Sequence, residues 1–194
     1  RPHVWTRENL FRGIETSLCR LDRENVDILQ LHNPTVEEVV QGDLVEALNE
    51  IRAQGMVKWI GVSTTLPYLP IFLDSGAFDV MQIPYSALDR EHEDWIAKAA
   101  SAGVGIIVRG GIAQGEHGIH GIGKGGSQTW TKFNDARLEE LMDHGETRSS
   151  FVLRFTLAHP NIDTVIVGTT KEKHLIENIE SVFRGPLSGD IYNE

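Results

Sequence analysis

Asp27-Ile28-Leu29-Gln30-Leu31-His32-Asn33-Pro34 is a short apolar run that ends in a histidine and is closed by Asn-Pro. With Val26, Ile28, Leu29 and Leu31 it is too short for a helix and too apolar for a sheet wetted on one side. That pattern predicts a parallel strand covered on both faces. Pro34 cannot donate to a ladder and pushes Asn33 out of the helical region, so the strand stops there. His32 is thereby delivered to the C-terminal end of a buried parallel strand, where α/β barrels build their active sites. Position alone leaves two readings open: a site imidazole, and a core histidine satisfied by a backbone carbonyl.

Working outward, Thr6 reads as an N-cap for a helix carrying Leu10, Phe11, Ile14, Leu18 and Leu21 at helical spacing. After Pro34, Thr35 and Glu38 form a capping box for one helix running through Val36, Val39, Val40, Leu44, Leu48 and Ile51, ended by Gly55. Val57 to Val62 reads as a second buried strand, Leu66 to Leu73 as a short helix, and Val80 to Ile83 as a third strand stopped by Pro84. Trp95 to Ala100 is helical, Val104 to Val108 is a fourth strand, and a Gly-rich loop runs from Gly110 to about Thr131. Helices are expected near Asp135 to His144 and Thr147 to Ala158, then a fifth strand from Thr164 to Val167, with Thr170 capping the last helix. Strand and helix alternate with short connections, the order of parallel strands joined by right-handed crossovers. Five such units fit a doubly wound sheet or part of an eight-fold barrel. A Rossmann sheet opens on a strand followed by Gly-x-Gly-x-x-Gly, whereas this chain opens on a helix cap. The expectation is the later part of a barrel without its first strands.

At 194 residues and 40% hydrophobic content, one domain with a sizeable core is expected. A net charge of −10 argues against a nucleic-acid surface, which needs a basic face. The single cysteine, Cys19, falls on the apolar side of the first helix, so no disulfide framework exists and a reducing cytoplasm fits. No apolar run approaches a membrane span, and the first residues do not read as a signal peptide.

Several stretches carry candidate chemistry beside a plainer reading. Ser63 and Thr64 end the second strand with two hydroxyls, which also suit a helix cap. Gln82 is an amide among apolar neighbours and needs a partner if buried, structural or ligand. Gly118 to Lys124 matches the glycine and lysine positions of a phosphate-binding loop, but Gly125 stands where the Mg²⁺-holding hydroxyl belongs. Glu116, His117 and His120 lack a helix to set their spacing, so a solvated, Gly-rich flap is the better reading and no metal is expected. Ile166-Val167-Gly168-Thr169-Thr170 leads into a helix carrying Lys171, Lys173, His174, Glu177 and Asn178. Cations in a first helical turn oppose the dipole unless an anion sits with them, which suggests a phosphate.

Together these stretches resemble the aldo/keto reductases. Thr6–Leu21 followed by Val26–Pro34 is similar to that family's helix and histidine-bearing strand, and His32 falls on the active-site histidine. Val57 to Thr64 resembles the strand whose Ser and Asn contact the nicotinamide carboxamide, with Thr64 in place of the Asn. Gln82 to Ser86 resembles the strand whose glutamine also holds the carboxamide. Gly168, Thr169, Thr170, Lys171, His174, Glu177 and Asn178 are similar to the segment that grips the adenosine end and its 2′-phosphate. Two departures stand out. The family's catalytic aspartate, tyrosine and lysine lie on strands earlier than those present, so only His32 of the set is carried over. Where the family has a stacking aromatic, this chain has Arg109 and Gly110, and an arginine plane can also stack on a ring.

The resemblance implies that residues 1–194 are the last five βα units of a TIM (βα)8 barrel. It implies an NADPH-dependent reductase of aldehydes or ketones, with NAD(H) as the alternative cofactor, and a cytoplasmic location. A chain without the proton donor would not turn over by itself. Two other classes share the pattern: a non-catalytic cofactor-sensing barrel subunit, and a barrel isomerase or aldolase acting on a phosphorylated substrate.

Overall fold

The computed structural model describes residues 4–113 and 126–193. The chain divides into two compact units, one of Arg1–Gln82 with Lys98–Gly105, the other of Ile83–Ala97 with Ile106–Glu194.

The first unit opens with α1 (Arg7–Leu21), whose N-cap Thr6 accepts from the Asn9 N–H. β1 (Val26–His32) follows, then α2 (Val36–Gln41), α3 (Leu44–Ala53), β2 (Val57–Ser63), α4 (Leu69–Asp74) and β3 (Val80–Pro84). β1 pairs in parallel with β2, and β2 with β3. The Thr35–Glu38 capping box forms as the sequence predicts. The single helix expected from Val36 to Ile51 is instead two. Asp43 takes a left-handed conformation (φ 51°) and turns the chain between α2 and α3. Leu44, Ala47, Leu48 and Ile51 then face the sheet from α3, all fully buried. Each such aliphatic side chain contributes about 1.5–3 kcal/mol on burial.

The strand β1 is not covered on both faces as expected. On one face Leu31, Ile60, Val62 and Met81 are buried under helices. On the other, Ile28 is 38% and Trp59 45% exposed, and β1 shows the burial of a half-wet strand. The apolar composition of the run hid an alternation of period two, because Gln30 and His32 are its only long polar positions on the open face. Cys19 is exposed on α1, contrary to its expected apolar placement.

The second unit holds β4 (Gly105–Arg109) and β5 (Thr164–Ile166), which pair in parallel, with α5 (Glu93–Ser101) and β3 shared across the division. α6 (Gly126–Asp135), α7 (Arg148–Ala158), α8 (Glu172–Arg184) and α9 (Gly189–Asn193) complete it. The helix expected near Asp135 to His144 is displaced: α6 ends at Asp135, Arg137 is left-handed (φ 54°), and Leu138–Leu141 form only a 3-10 turn. α6 also begins inside the stretch read as loop up to Thr131. α7 starts as expected, on an N-cap Thr147 that accepts from the Ser150 N–H. Its buried aromatics meet Phe133 of α6, with Phe133 and Phe151 packed edge to face at 6.0 Å. β5 is a short strand with Thr164 and Ile166 exposed, rather than a buried one. α9 was not foreseen. It docks through Tyr192, whose hydroxyl lies 3.2 Å from that of buried Tyr85, while the Tyr85 hydroxyl donates to Glu93 at 3.0 Å. Burial, then the Tyr192 contact, pushes the Tyr85 phenol far above its usual value and keeps it neutral.

One device recurs. The Asp79 N–H donates to the Ile60 carbonyl (2.9 Å) while its carboxylate accepts from the Ile60 N–H (2.9 Å). Asp163 does the same to Ile106, at 3.1 and 2.7 Å.

Candidate active site

Register brings the first unit's candidates together. His32 of β1 lies opposite Ser63 of β2, and Ser63 opposite Gln82 of β3, so the three occupy one row at the C-terminal strand ends. Side chains of period two in a strand share a face, which sets Gln30 beside His32 and opposite Gly61. His32 is exposed rather than packed in a core, and Asn33 Nδ2 approaches its Nε2 at 3.4 Å. Asn33 is itself left-handed (φ 52°), and its N–H donates to the Ser63 carbonyl at 2.8 Å, turning the chain off the strand under His32.

Ser63 and Thr64 are both buried, and neither caps a helix: α4 begins several residues later with no side-chain cap. The Thr64 hydroxyl turns onto the Thr65 carbonyl at 3.4 Å, and the Thr64 N–H donates to the Gln82 carbonyl at 3.1 Å. Gln82 donates through Nε2 to Ser63 Oγ (3.4 Å) and accepts at Oε1 from Gln30 Nε2 (3.4 Å). Gln30 was not singled out from the sequence. The signal was present, since it is the one polar residue between Asp27 and His32 and stands two positions before the histidine. An apolar-run reading treats such a residue as noise.

In the second unit, Arg109 ends β4 half-buried and Gly110 follows with φ 73°. Burial, with help from the Arg109 charge, holds the His92 imidazole below its usual pKa, although the nearby Asp89 and Glu91 carboxylates oppose this. Gly168 has open space where a side chain would stand. Thr170 is not the helix cap. α8 starts on Lys171 without a side-chain cap, because Thr169 Oγ1 takes the Lys171 N–H (3.1 Å) one residue earlier and delays the helix. Thr170, Lys171 and His174 are exposed, while Lys173 makes a 3.6 Å surface pair with Glu177. Asn178 is buried one turn further on. Residues 118–124, with their phosphate-loop pattern, and Glu116, His117 and His120 lie outside the described residues.

Gln30 Oε1 in the first unit, and Arg109 Nε and Asn178 Nδ2 in the second, are buried with no hydrogen-bond partner among the described residues. Buried polar atoms are normally paired, so within each unit such an orphan fits a polar ligand group that supplies its partner. No helix of the described residues is long and apolar enough to cross a membrane.

The chain is similar to known proteins over most of its length. The chain is 26% identical over 182 residues to the uncharacterized oxidoreductase YqkF of Bacillus subtilis, covering 87% of this chain and 58% of that protein. It is 26% identical to an L-galactose dehydrogenase of Arabidopsis thaliana, covering 92% of this chain and 59% of the relative. The chain thus spans about three fifths of the length of these curated relatives. Its fold is similar to that of an aldo-keto reductase of Bacillus halodurans in its holo form, with a TM-score of 0.80 and 23% identity. That match covers 97% of this chain and 64% of that one. The aldo/keto reductase family model matches residues 3–194, and the chain belongs to that family.

Proposed function

We propose that the protein is an NADPH-dependent oxidoreductase that reduces aldehyde or ketone carbonyls to alcohols, this chain forming the last five units of a TIM barrel. The observation that carries the reading is the row of His32, Ser63 and Gln82 at three parallel strand ends. When bound, the reduced nicotinamide supplies the hydride that adds to the carbonyl carbon. Ser63 and Gln82 hold its carboxamide, and buried Thr64 backs them through the strand. The exposed His32 imidazole donates to the carbonyl oxygen of the substrate and stabilises the negative charge that develops there. A proton must also reach that oxygen, and no residue of the row is assigned to deliver it, so the chain by itself is not expected to turn over. At the end of β4, before Gly110, the Arg109 guanidinium offers a plane on which a cofactor ring could stack.

Gly168 leaves room for a phosphate near the start of α8, where Thr169, Thr170, Lys171 and His174 are exposed. Lys171 and His174 carry the preference for a 2′-phosphate, with Asn178 donating to the adenosine. Each charge-assisted contact of this kind is worth about 1.5–3 kcal/mol. The exposed free thiol of Cys19 supports a reducing, cytoplasmic setting.

The test, on the protein with its whole barrel, is oxidation of NADPH by a panel of aldehydes and ketones, with His32→Ala alongside. The variant is expected to lose about 10²–10³ in kcat while binding the cofactor normally. A lowered melting temperature with near-normal kcat would make His32 structural. Absence of any dinucleotide binding would remove the reading altogether.

A further inference from the structure

We propose that the cleft beside α9 in the second unit binds a small amphipathic carboxylate, with its charge held by Lys132 and its hydrocarbon body laid along α7. The cleft holds about 450 Å³ between residues 87–90, α6 and the 3-10 turn after it, α7 and α9. That lies within the roughly 300–1,000 Å³ of small-molecule sites. None of its lining residues belongs to the cofactor set assigned above.

Its walls are apolar, formed by Leu88, Leu138, Leu141, Phe151, Phe155 and Ile191. They are also held in place. Phe155 lies against the Tyr192 ring at 4.8 Å and under the Arg90 guanidinium at 5.5 Å. Tyr192 is tied in turn to the Tyr85 hydroxyl at 3.2 Å and to the Glu93 carboxylate at 3.3 Å. A hydrocarbon body entering so fixed a site orders little of the protein, which keeps the cost of binding low.

The charges decide the ligand. Arg90, Lys132, Arg137 and Glu140 reach the cleft, three cations against one carboxylate in a chain of net charge −10. Two of the cations are matched locally. Arg90 grips Glu93 at 2.7 and 2.9 Å, and Arg137 grips Glu140 at 2.8 and 2.5 Å. Lys132 is different: its ammonium donates to the Leu88 carbonyl at 3.3 Å and makes no ion pair among the described residues. That contact fixes the ammonium beside an apolar wall and leaves two of its three N–H bonds for an acceptor. One carboxylate satisfies them with charge-assisted bonds. A phosphate, with its further charge, would find the other two cations already taken.

The experiment measures calorimetric binding of decanoate and decanol, equal in chain length and different in charge, to the protein with its whole barrel and to two variants. The parent is expected to bind decanoate about tenfold or more tightly than decanol. Lys132→Met removes the charge at similar length, so it should weaken decanoate by the same factor and leave decanol unchanged. Ala136→Trp, at an exposed position on the rim, should fill the cleft and abolish binding of both. If Lys132→Met lowers the melting temperature, Lys132→Gln, which keeps a donor for the Leu88 carbonyl, replaces it with the same expectation. Equal affinity of the parent for the two ligands, or decanoate binding untouched by loss of the Lys132 charge, would overturn the anion site. Binding that survives Ala136→Trp, or no binding by the parent, would overturn the cleft as the place.

Discussion

Replacing Gly61 by alanine tests the close packing of β2 against β3 beside Ser63 and Gln82. An added Cβ would lie 2.7 Å from the Val80 carbonyl oxygen, 3.0 Å from Gln30 Cγ and 3.3 Å from Val80 Cβ. The Gln30 side chain can swing aside, but the Val80 oxygen belongs to a strand in register with Gly61 and can retreat only by parting β2 from β3. Overpacking of this kind costs about 1–3 kcal/mol. Alanine recovers about 0.4–1 kcal/mol by restricting the unfolded chain. The net expectation is a loss of about 1–2 kcal/mol, which for a chain of this size lowers Tm by about 2–8 °C. Gly13→Ala is the control: nothing lies within 4 Å of its added Cβ, it is exposed, and it sits inside α1. That variant should be about 0.5–1 kcal/mol more stable than the parent. Urea and thermal denaturation of both give the answer. A Gly61→Ala protein as stable as Gly13→Ala would mean that β3 yields freely and that the glycine is not needed where Gln30 reaches Gln82.

Arg154→Met should destabilise the protein by about 3 kcal/mol, the low end for breaking a buried pair. Arg154 bonds Glu146 (2.9 Å) and the Gly185 carbonyl (2.9 Å), and Arg184 at 3.5 Å retains part of the compensation for the buried Glu146 carboxylate. A loss under 1 kcal/mol in urea titration would show that Arg184 takes over the role. Stability should also fall as pH drops below about 6.5. Burial, opposed by Glu93, holds the His159 imidazole below its ordinary pKa. It stays neutral in the fold while the unfolded chain takes up a proton first, so the stability it contributes is present above that range and is lost on acidification. His159→Asn should flatten the slope of stability between pH 7 and 5, and an unchanged slope would assign it to other groups such as His92.

Much of the local grammar was legible in the sequence. Thr6, and Thr35 with Glu38, cap helices as read, because a cap is a contact over three residues and needs no tertiary information. His32 ends its strand because Pro34 forces it to. The turn at Asp43 was not legible, since a left-handed aspartate is chosen by how α2 and α3 reach the sheet rather than by its neighbours. The same holds for Arg137, which ends the reach of α6. At the last helix, Thr170 was read as the cap, but the Thr169 hydroxyl takes the Lys171 N–H and the helix starts later without a side-chain cap, a geometry invisible in a sequence. Of the candidate site, the residue types were legible but their linkage was not. Gln30 meets Gln82 only because parallel register sets both beside Gly61 and Ser63, and register is a property of strand pairs.

The twin contacts of Asp79 on Ile60 and Asp163 on Ile106 set the phase of a strand at its entrance. Each aspartate closes a ring of two hydrogen bonds with one residue of the preceding strand, so the incoming strand is indexed before its ladder begins. Indexing at the entrance uncouples the ladder from the length of the connection before it. Residues gained or lost between β2 and Asp79, or between β4 and Asp163, change the excursion of the chain but return it to the same starting notch. The alignment of His32, Ser63 and Gln82 is thereby insulated from length variation in the segment between β2 and β3.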